Sequence, residues 1–411
     1  MNKVLVIGYV WPEPNSSAAG MHMLSLLQLF TSQGWQVEFA SPAQQTEHMI
    51  HLPDYGISSK QIALNCSSFD SYIEALSPDI VMFDRFMMEE QFGWRVDKFA
   101  PHALKILDTE DLQSLRGARH AALKANVDFN TDQLLDSELA KREIAAILRC
   151  DLSLIISDYE LELLQSTFNI RTDLLLHLPF LVDLKSLPSM LPTFDERAHF
   201  MTIGNFRHAP NWDSVLHLQK LWPAIKKQLP EAQLHIYGSY PPKKATALNN
   251  PKTGFLVKGW AEDAIEVMKA SRICLSPIRF GAGIKGKLLE AMLTQTPCVT
   301  TEIGAEGMHG TLPWHGKITT SDEEFVAAAV ALYKDQAAFK QAQQNGLNIL
   351  HDRYNKDTLS TRLLNKISNI QNNLAAHRTQ NFYGQMLKHH TLRSTQYMSQ
   401  WIEEKNANKM R

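Results

Sequence analysis

Long apolar runs are missing from this chain: none approaches the roughly 18 consecutive residues that a membrane-spanning helix needs. The opening run, Lys3-Val4-Leu5-Val6-Ile7-Gly8, is too short to read as a secretory leader. A cytoplasmic protein is expected, with peripheral contact to the inner face of a membrane left open. Cysteine is also scarce. Cys66, Cys150, Cys274 and Cys298 share no short paired spacing, which argues against a disulfide framework or a thiolate metal site. Cys274 and Cys298 fall in apolar strand-like runs and read as free core thiols. The 16 histidines are scattered without an i, i+4 pair flanking an acid, so no metal is expected. Excess charge of one sign is absent as well: 41 Lys and Arg stand against 43 Asp and Glu, a net charge of −2. That gives no general pull towards nucleic acid, so any anion must be held locally.

What is present is a globular composition, 44% apolar and 20% charged, over 411 residues, enough for two cores. Short apolar runs alternate with amphipathic stretches. Strands are expected at 4–10, 37–40, 80–84, 103–108 and 152–157, with helices at 19–33 and 132–149. After a proline-spaced link between Pro179 and Pro192 the pattern restarts. Strands at 199–204, 234–238, 254–259, 273–277 and 298–301 then alternate with helices at 213–228, 262–270, 287–293, 322–332 and 335–345. This α/β order predicts two doubly wound parallel sheets in series, over 1–185 and 193–356. Residues 357–411 read as a polar helical extension in which Phe382, Tyr383 and Trp401 supply packing surface.

In open α/β sheets ligands collect at the carboxyl ends of strands, and the richest such end is Phe280-Gly281-Ala282-Gly283-Ile284-Lys285-Gly286-Lys287-Leu288-Leu289-Glu290. A strand, a glycine-rich turn, two lysines and a helix start surround one small volume with N–H groups and positive charge. That is a phosphate site in prospect. Lysine at a helix N-terminus is unfavourable unless an anion accompanies it, and Glu290 is placed to accept from a ribose diol. Three other strand ends qualify. The loop 9–20 ends in the small residues Ala19 and Gly20, which let backbone approach a ligand. In the segment 204–213, Arg207 is expected to clamp a diphosphate, and Asp213 to cap the following helix, with Asn211 as its alternative. At 300–308, Glu306 is open between loop surface and ligand contact. In the first half, Asp84-Arg85-Phe86 follows one strand, and Asp108, Glu110 and Asp111 with Arg116 and Arg119 follow another. The second group is either a salt-bridge network or a cleft-facing acid for a hydroxyl substrate, with the run 89–94 adding polar contacts.

With those segments placed, the chain resembles a GT-B glycosyltransferase, most closely the retaining family four group. The resemblance rests on Gly204–Asp213, Tyr237-Gly238, Gly259-Trp260, Phe280–Met292 and Pro297–Thr301 with Ile303-Gly304-Ala305-Glu306-Gly307, in family order. It implies two Rossmann-like domains facing a cleft, and no cofactor beyond a nucleotide-diphosphate sugar as donor. A hydroxyl-bearing acceptor is the other partner, transfer is with retention and without metal, and oligomeric state is left unset. It further implies a diphosphate held by Arg207, Lys285 and the N–H groups of Gly283, Ile284 and Lys287, a ribose on Glu290, and a base near Trp260. Asn205, Asn211, Ala19, Gly20 and Glu306 complete the implied binding set, and Asp111, then Glu110, are the nearest matches to the family's first-half catalytic residue. The family usually carries two glutamates in this motif, and the earlier one is Ala282 here. A nucleotide-sugar epimerase or phosphorylase of the same fold, or an inactive nucleotide-sugar-binding scaffold, is the alternative.

Overall fold

The computed structural model describes residues 2–188 and 190–409; Met1, Ser189 in the link, and positions 410 and 411 of the expected tail lie outside the described residues. Seven strands build the first sheet: β1 (Lys3–Ile7), β2 (Gln36–Ser41), β3 (Ser58–Gln61), β4 (Ile80–Asp84), β5 (Leu104–Asp108), β6 (Leu152–Ile155) and β7 (Leu175–His177). Their spatial order is β3-β2-β1-β4-β5-β6-β7, and every paired neighbour is parallel. Six build the second: β8 (Ala198–Ile203), β9 (Leu234–Tyr237), β10 (Phe255–Gly259), β11 (Ser271–Ser276), β12 (Cys298–Thr301) and β13 (Gly316–Thr319), in the order β10-β9-β8-β11-β12-β13, again all parallel. The central strands read Lys-Val-Leu-Val-Ile or Ile-Val-Met-Phe-Asp because helices cover both faces and each side chain in turn is buried. Edge strand β3, Ser-Ser-Lys-Gln, is exposed throughout and carries no apolar signal, so only the sheet reveals it.

Each sheet reverses its strand order once, at β1/β4 and at β8/β11. Loops leaving neighbouring strands there diverge and open a crevice. The two reversal points face one another, so their crevices form one space.

The chain then crosses back. At the crossing, Val182 and Tyr354–Lys356 exchange backbone hydrogen bonds of 2.8 and 2.9 Å. Helix Lys356–Asn372 buries Leu359, Leu363, Ile367 and Ile370 in the first-half core beside Val4, Leu26 and Phe30. Beyond it, Arg378 grips Asp151 through two contacts of 2.8 and 2.7 Å. The helix Phe382–Lys409 packs on helices Phe86–Phe99 and Glu138–Arg149.

Three expectations change here. Phe382, Tyr383 and Trp401 do not pack the extension down; they are 69%, 67% and 58% exposed, while polar pairs such as Glu403 with the Ser67 hydroxyl (2.6 Å) join the helix to the first half. The run 89–94 lies within a helix, where Glu89 is buried against Arg149 (2.5 Å) and Glu90 pairs with Arg142, so neither serves an acceptor. Helix Ala209–Gln228 starts too early for Asn211 or Asp213 to cap it, and Asp213 pairs with Arg279.

Because Leu363 is fully buried under the first sheet, Leu363→Ala is expected to cost about 2–5 kcal/mol. Denaturant unfolding followed by tryptophan fluorescence measures it. Exposed Leu64→Ala should change stability by less than about 0.5 kcal/mol.

Candidate active site

A cavity of 840 Å³ fills the space between the facing reversal points. Its second-half wall is the predicted turn and helix. Gly286–Leu293 begins at Lys285 with no side chain capping it, so the first-turn N–H groups of Gly286 and Lys287 have no intrahelical acceptor and adjoin the cavity. Opposite, helix Ala18–Ser32 starts at Ser17, whose hydroxyl accepts the Gly20 N–H at 3.1 Å, and it too begins at the cavity. The two helix starts touch. A Cβ on Gly286 would lie 2.2 Å from the Ala18 Cβ, so glycine is required for the approach. Two positive helix ends therefore converge on one space.

The cations of this wall are set by burial. Lys285 Nζ donates to Gly283 O at 2.9 Å and Lys287 Nζ to Asn211 Oδ1 at 2.7 Å. Desolvation pulls both ammonium groups down to about 8. One turn on, burial pushes the Glu290 carboxyl up to about 7, opposed by the Lys287 charge. Arg207 is exposed and stands 3.6 Å over the Tyr240 ring, and its N–H donates to Asn205 Oδ1 at 2.8 Å. Trp260 lines the cavity already stacked, 4.3 Å and 5° from parallel, on His48 of the first half.

The first-half wall is acidic. β4 ends in Asp84, whose Oδ2 accepts the Tyr9 N–H at 3.0 Å, and β5 ends in Asp108. Burial, reinforced by Asp84, pushes Asp108 up to about 7; burial, then Asp108, pushes Glu110 up to about 8. Glu110 lines the cavity at φ +60°, and Arg85 lines it at φ +69°, both in the left-handed region. Beneath them His22 is fully buried, 3.8 Å from Asp108, with burial lowering its imidazole. Asp111 lines the cavity and is ion-paired with Arg116.

The structure thus gathers Ala19, Gly20, Glu110, Asp111, Asn205, Arg207, Asn211, Trp260, Ile284, Lys285, Lys287 and Glu290 around one cavity. Two expected contacts fall elsewhere. The Gly283 N–H is occupied, donating to Glu160 Oε1 at 2.8 Å in the interior, so it is not one of the amides offered to a ligand. Glu306 takes a two-pronged contact from Arg119 (2.7 and 2.8 Å) and borders a separate recess of 570 Å³ beside Asp158 and Glu302. Arg85 and Glu13, which lie in the strand-end segments 84–86 and 9–20, line the cavity as well, and so does Tyr240, just past Tyr237-Gly238, which sequence reasoning missed. Among the described residues, no set of three or more His, Cys, Asp and Glu is arranged to hold a metal ion, and no helix is long and apolar enough to cross a membrane.

Gly283, at φ +62°, has Asp111 Cβ 2.8 Å from where its own Cβ would stand, whereas Gly34, at φ +70°, has nothing within 4 Å. Both alanine substitutions incur the left-handed cost of roughly 1–2 kcal/mol. Only Gly283→Ala adds the clash, and it should be the more destabilising by about 1 kcal/mol or more in thermal unfolding.

Residues 197–335 match the family model of Glycosyl transferases group 1. Over 186 residues the chain is 26% identical to an uncharacterized 44.6 kDa protein in the cps region of Klebsiella pneumoniae; the match spans 41% of this chain and about half, 48%, of that relative. Among solved structures, sucrose-phosphate synthase of Thermosynechococcus elongatus superposes with TM-score 0.67 at 14% identity, over 90% of this chain and 99% of that one. HepE of Anabaena in complex with UDP-glucose gives TM-score 0.67 at 12% identity, over 90% and 100%. TarM, solved in a mutant form from S. aureus in complex with fondaparinux, alpha-GlcNAc-glycerol and UDP, gives 0.56 at 14%, over 72% and 57%. The fold is that of these proteins, GT-B, in which two parallel-sheet halves face a cleft.

Proposed function

We propose that this GT-B chain, whose second half matches glycosyl transferases group 1, moves a sugar from a nucleoside-diphosphate donor to a hydroxyl acceptor. A polysaccharide or glycoconjugate intermediate is the proposed acceptor, and the anomeric configuration is retained. The observation that carries this reading is the meeting of two helix starts, the second-half one uncapped, with Lys285, Lys287 and Arg207 at one cavity. HepE, of the same fold, binds UDP and UDP-glucose, and the cavity between the halves offers the cations and free amides that such a ligand needs.

In the proposed reaction the bond from the anomeric carbon to the diphosphate oxygen breaks as the acceptor oxygen bonds to that carbon, and charge builds on the departing diphosphate. Lys285, Lys287, Arg207 and the amides at the start of Gly286–Leu293 meet that charge without a divalent ion. The acceptor proton passes to the leaving diphosphate on the same face. Glu290 holds the ribose. On the acid-rich wall, Glu110 is the better candidate to orient the acceptor hydroxyl, since Asp111 is already engaged by Arg116.

Incubation with a panel of nucleotide sugars without acceptor tests the class of reaction. Slow release of nucleoside diphosphate is expected. An isomerised nucleotide sugar would indicate an epimerase, and binding without turnover a scaffold. Lys285→Ala should lower affinity for the nucleoside diphosphate by roughly 10- to 100-fold, the worth of a charged hydrogen bond; unchanged affinity would place the phosphate elsewhere.

The pH dependence follows from the lysines. A group lowered to about 8 is charged below that value and loses its proton as pH rises through it. Diphosphate affinity should therefore fall above pH 8, by up to about tenfold per unit for each lysine that must be recharged. Isothermal titration at pH 7 and pH 9 reads the difference, and equal affinities would contradict it.

A further inference from the structure

The turn that would grip the phosphate belongs to the second half, yet its shape is held by the first. Glu160 stands at the start of helix Asp158–Ser166 and is completely buried. Its Oε1 accepts two backbone amides, Leu112 N–H at 3.0 Å from the first half and Gly283 N–H at 2.8 Å from the second. Its Oε2 is buried without a hydrogen-bond partner among the described residues. One residue before Ala282, the Gly281 carbonyl accepts from Arg119 at 2.9 Å, and His120 lies flat on Phe280, 4.1 Å away and 1° from parallel. Within the turn itself Lys285 Nζ donates to the Gly283 carbonyl. A glycine at φ +62° has little reason to keep that conformation unaided.

A carboxylate oxygen shared between amides of opposite halves exists only while the halves are together. When they part, Glu160 is hydrated and the Gly283 amide returns to water, while the Leu112 amide, in the same half as Glu160, can keep its contact. Burial pushes the Glu160 carboxyl up to about 8, so the closed arrangement carries this group at a cost that other contacts must offset. A residue held so expensively at the seam, with an oxygen left bare, is poorly explained by stability alone. Its two acceptor contacts instead link the loop before helix Gln113–Ala125, which presents Asp111 and Glu110 to the cavity, with the turn that presents Lys285.

We propose that Glu160 is a positioning residue that couples closure of the cleft to the shape of the phosphate turn, so that the donor grip and the acceptor wall are assembled together. This rests on the sugar-transfer reading for its kinetic consequence. The coupling makes the charge-stabilising site complete only when water has been excluded, which suppresses hydrolysis of the donor.

The test compares Glu160→Ala and Glu160→Gln in the full chain, with UDP as the binding probe and X-ray scattering of the free proteins. Glutamine keeps an oxygen that can accept both amides. For Glu160→Ala, kcat is expected to fall at least about tenfold, UDP affinity to fall by a clearly smaller factor, and the radius of gyration to rise. Glu160→Gln should restore most of kcat and the smaller radius. Wild-type kcat in Glu160→Ala, UDP affinity falling in step with kcat, or Glu160→Gln no better than Glu160→Ala would each overturn the proposal. If the wild-type protein turns over no nucleotide sugar, the transfer reading fails on its own, and the scattering still decides: an unchanged radius in Glu160→Ala rejects the coupling.

Discussion

The contact between the first half and the glycine turn is the constraint on which the rest of the molecule depends. Ala18, Asp111, Arg119, His120 and Glu160 all meet residues 280–286, and at Gly283 and Gly286 the approach leaves no room for a Cβ. Two parallel sheets each provide a crevice where strand order reverses. The grip on this turn brings the crevices face to face, so that one becomes the cationic wall and the other the acidic wall of a single cavity. The crossing at Val182 and Tyr354, and the return of helix Lys356–Asn372 into the first core, tie the halves a second time at a distance from the cleft.

Charge in the cavity is divided by wall. On one side, the start of helix Gly286–Leu293 with Lys285, Lys287 and Arg207 offers donors to an anion, and the start of helix Ala18–Ser32 meets it from the first half. On the other, Asp84, Asp108, Glu110 and Asp111 are balanced by Arg85 and Arg116, and burial keeps two of the carboxyls hard to ionise. A neutral hydroxyl compound suits the second wall, a diphosphate the first. The same burial that makes the lysines easier to deprotonate would make their charge more effective against the departing diphosphate of the proposed reaction.

Much of the second half was legible because its chemistry is local. Gly281, Gly283, Lys285, Gly286, Lys287 and Glu290 sit within ten residues, directly after an apolar strand and at the start of a helix, and that order constrains where each can point. The alternation of buried strands and helices likewise disclosed the middle of both sheets, but not the short outer strands β3, β7 and β13, of three or four residues each. The first half was legible only in outline. Whether Asp111 is free or paired depends on Arg116, and whether the Gly283 amide is free depends on Glu160, 123 residues away. Neither follows from spacing. Glu306 looked like a strand-end ligand for the same reason that Glu290 did, and only Arg119, reaching across the seam, reassigns it. The aromatic residues of the extension suggested packing, but the rings stay exposed while polar pairs join that helix to the first half.

The central claim is that a diphosphate rests against the start of helix Gly286–Leu293, inside the closed cleft. A crystal structure with UDP bound tests it most directly. The account predicts the terminal phosphate within hydrogen-bond distance of Lys285 Nζ or Lys287 Nζ and of the Gly286 or Lys287 amide, with the Gly283 amide still on Glu160. A phosphate bound outside this cavity, or one that displaces Glu160 from Gly283, would contradict it.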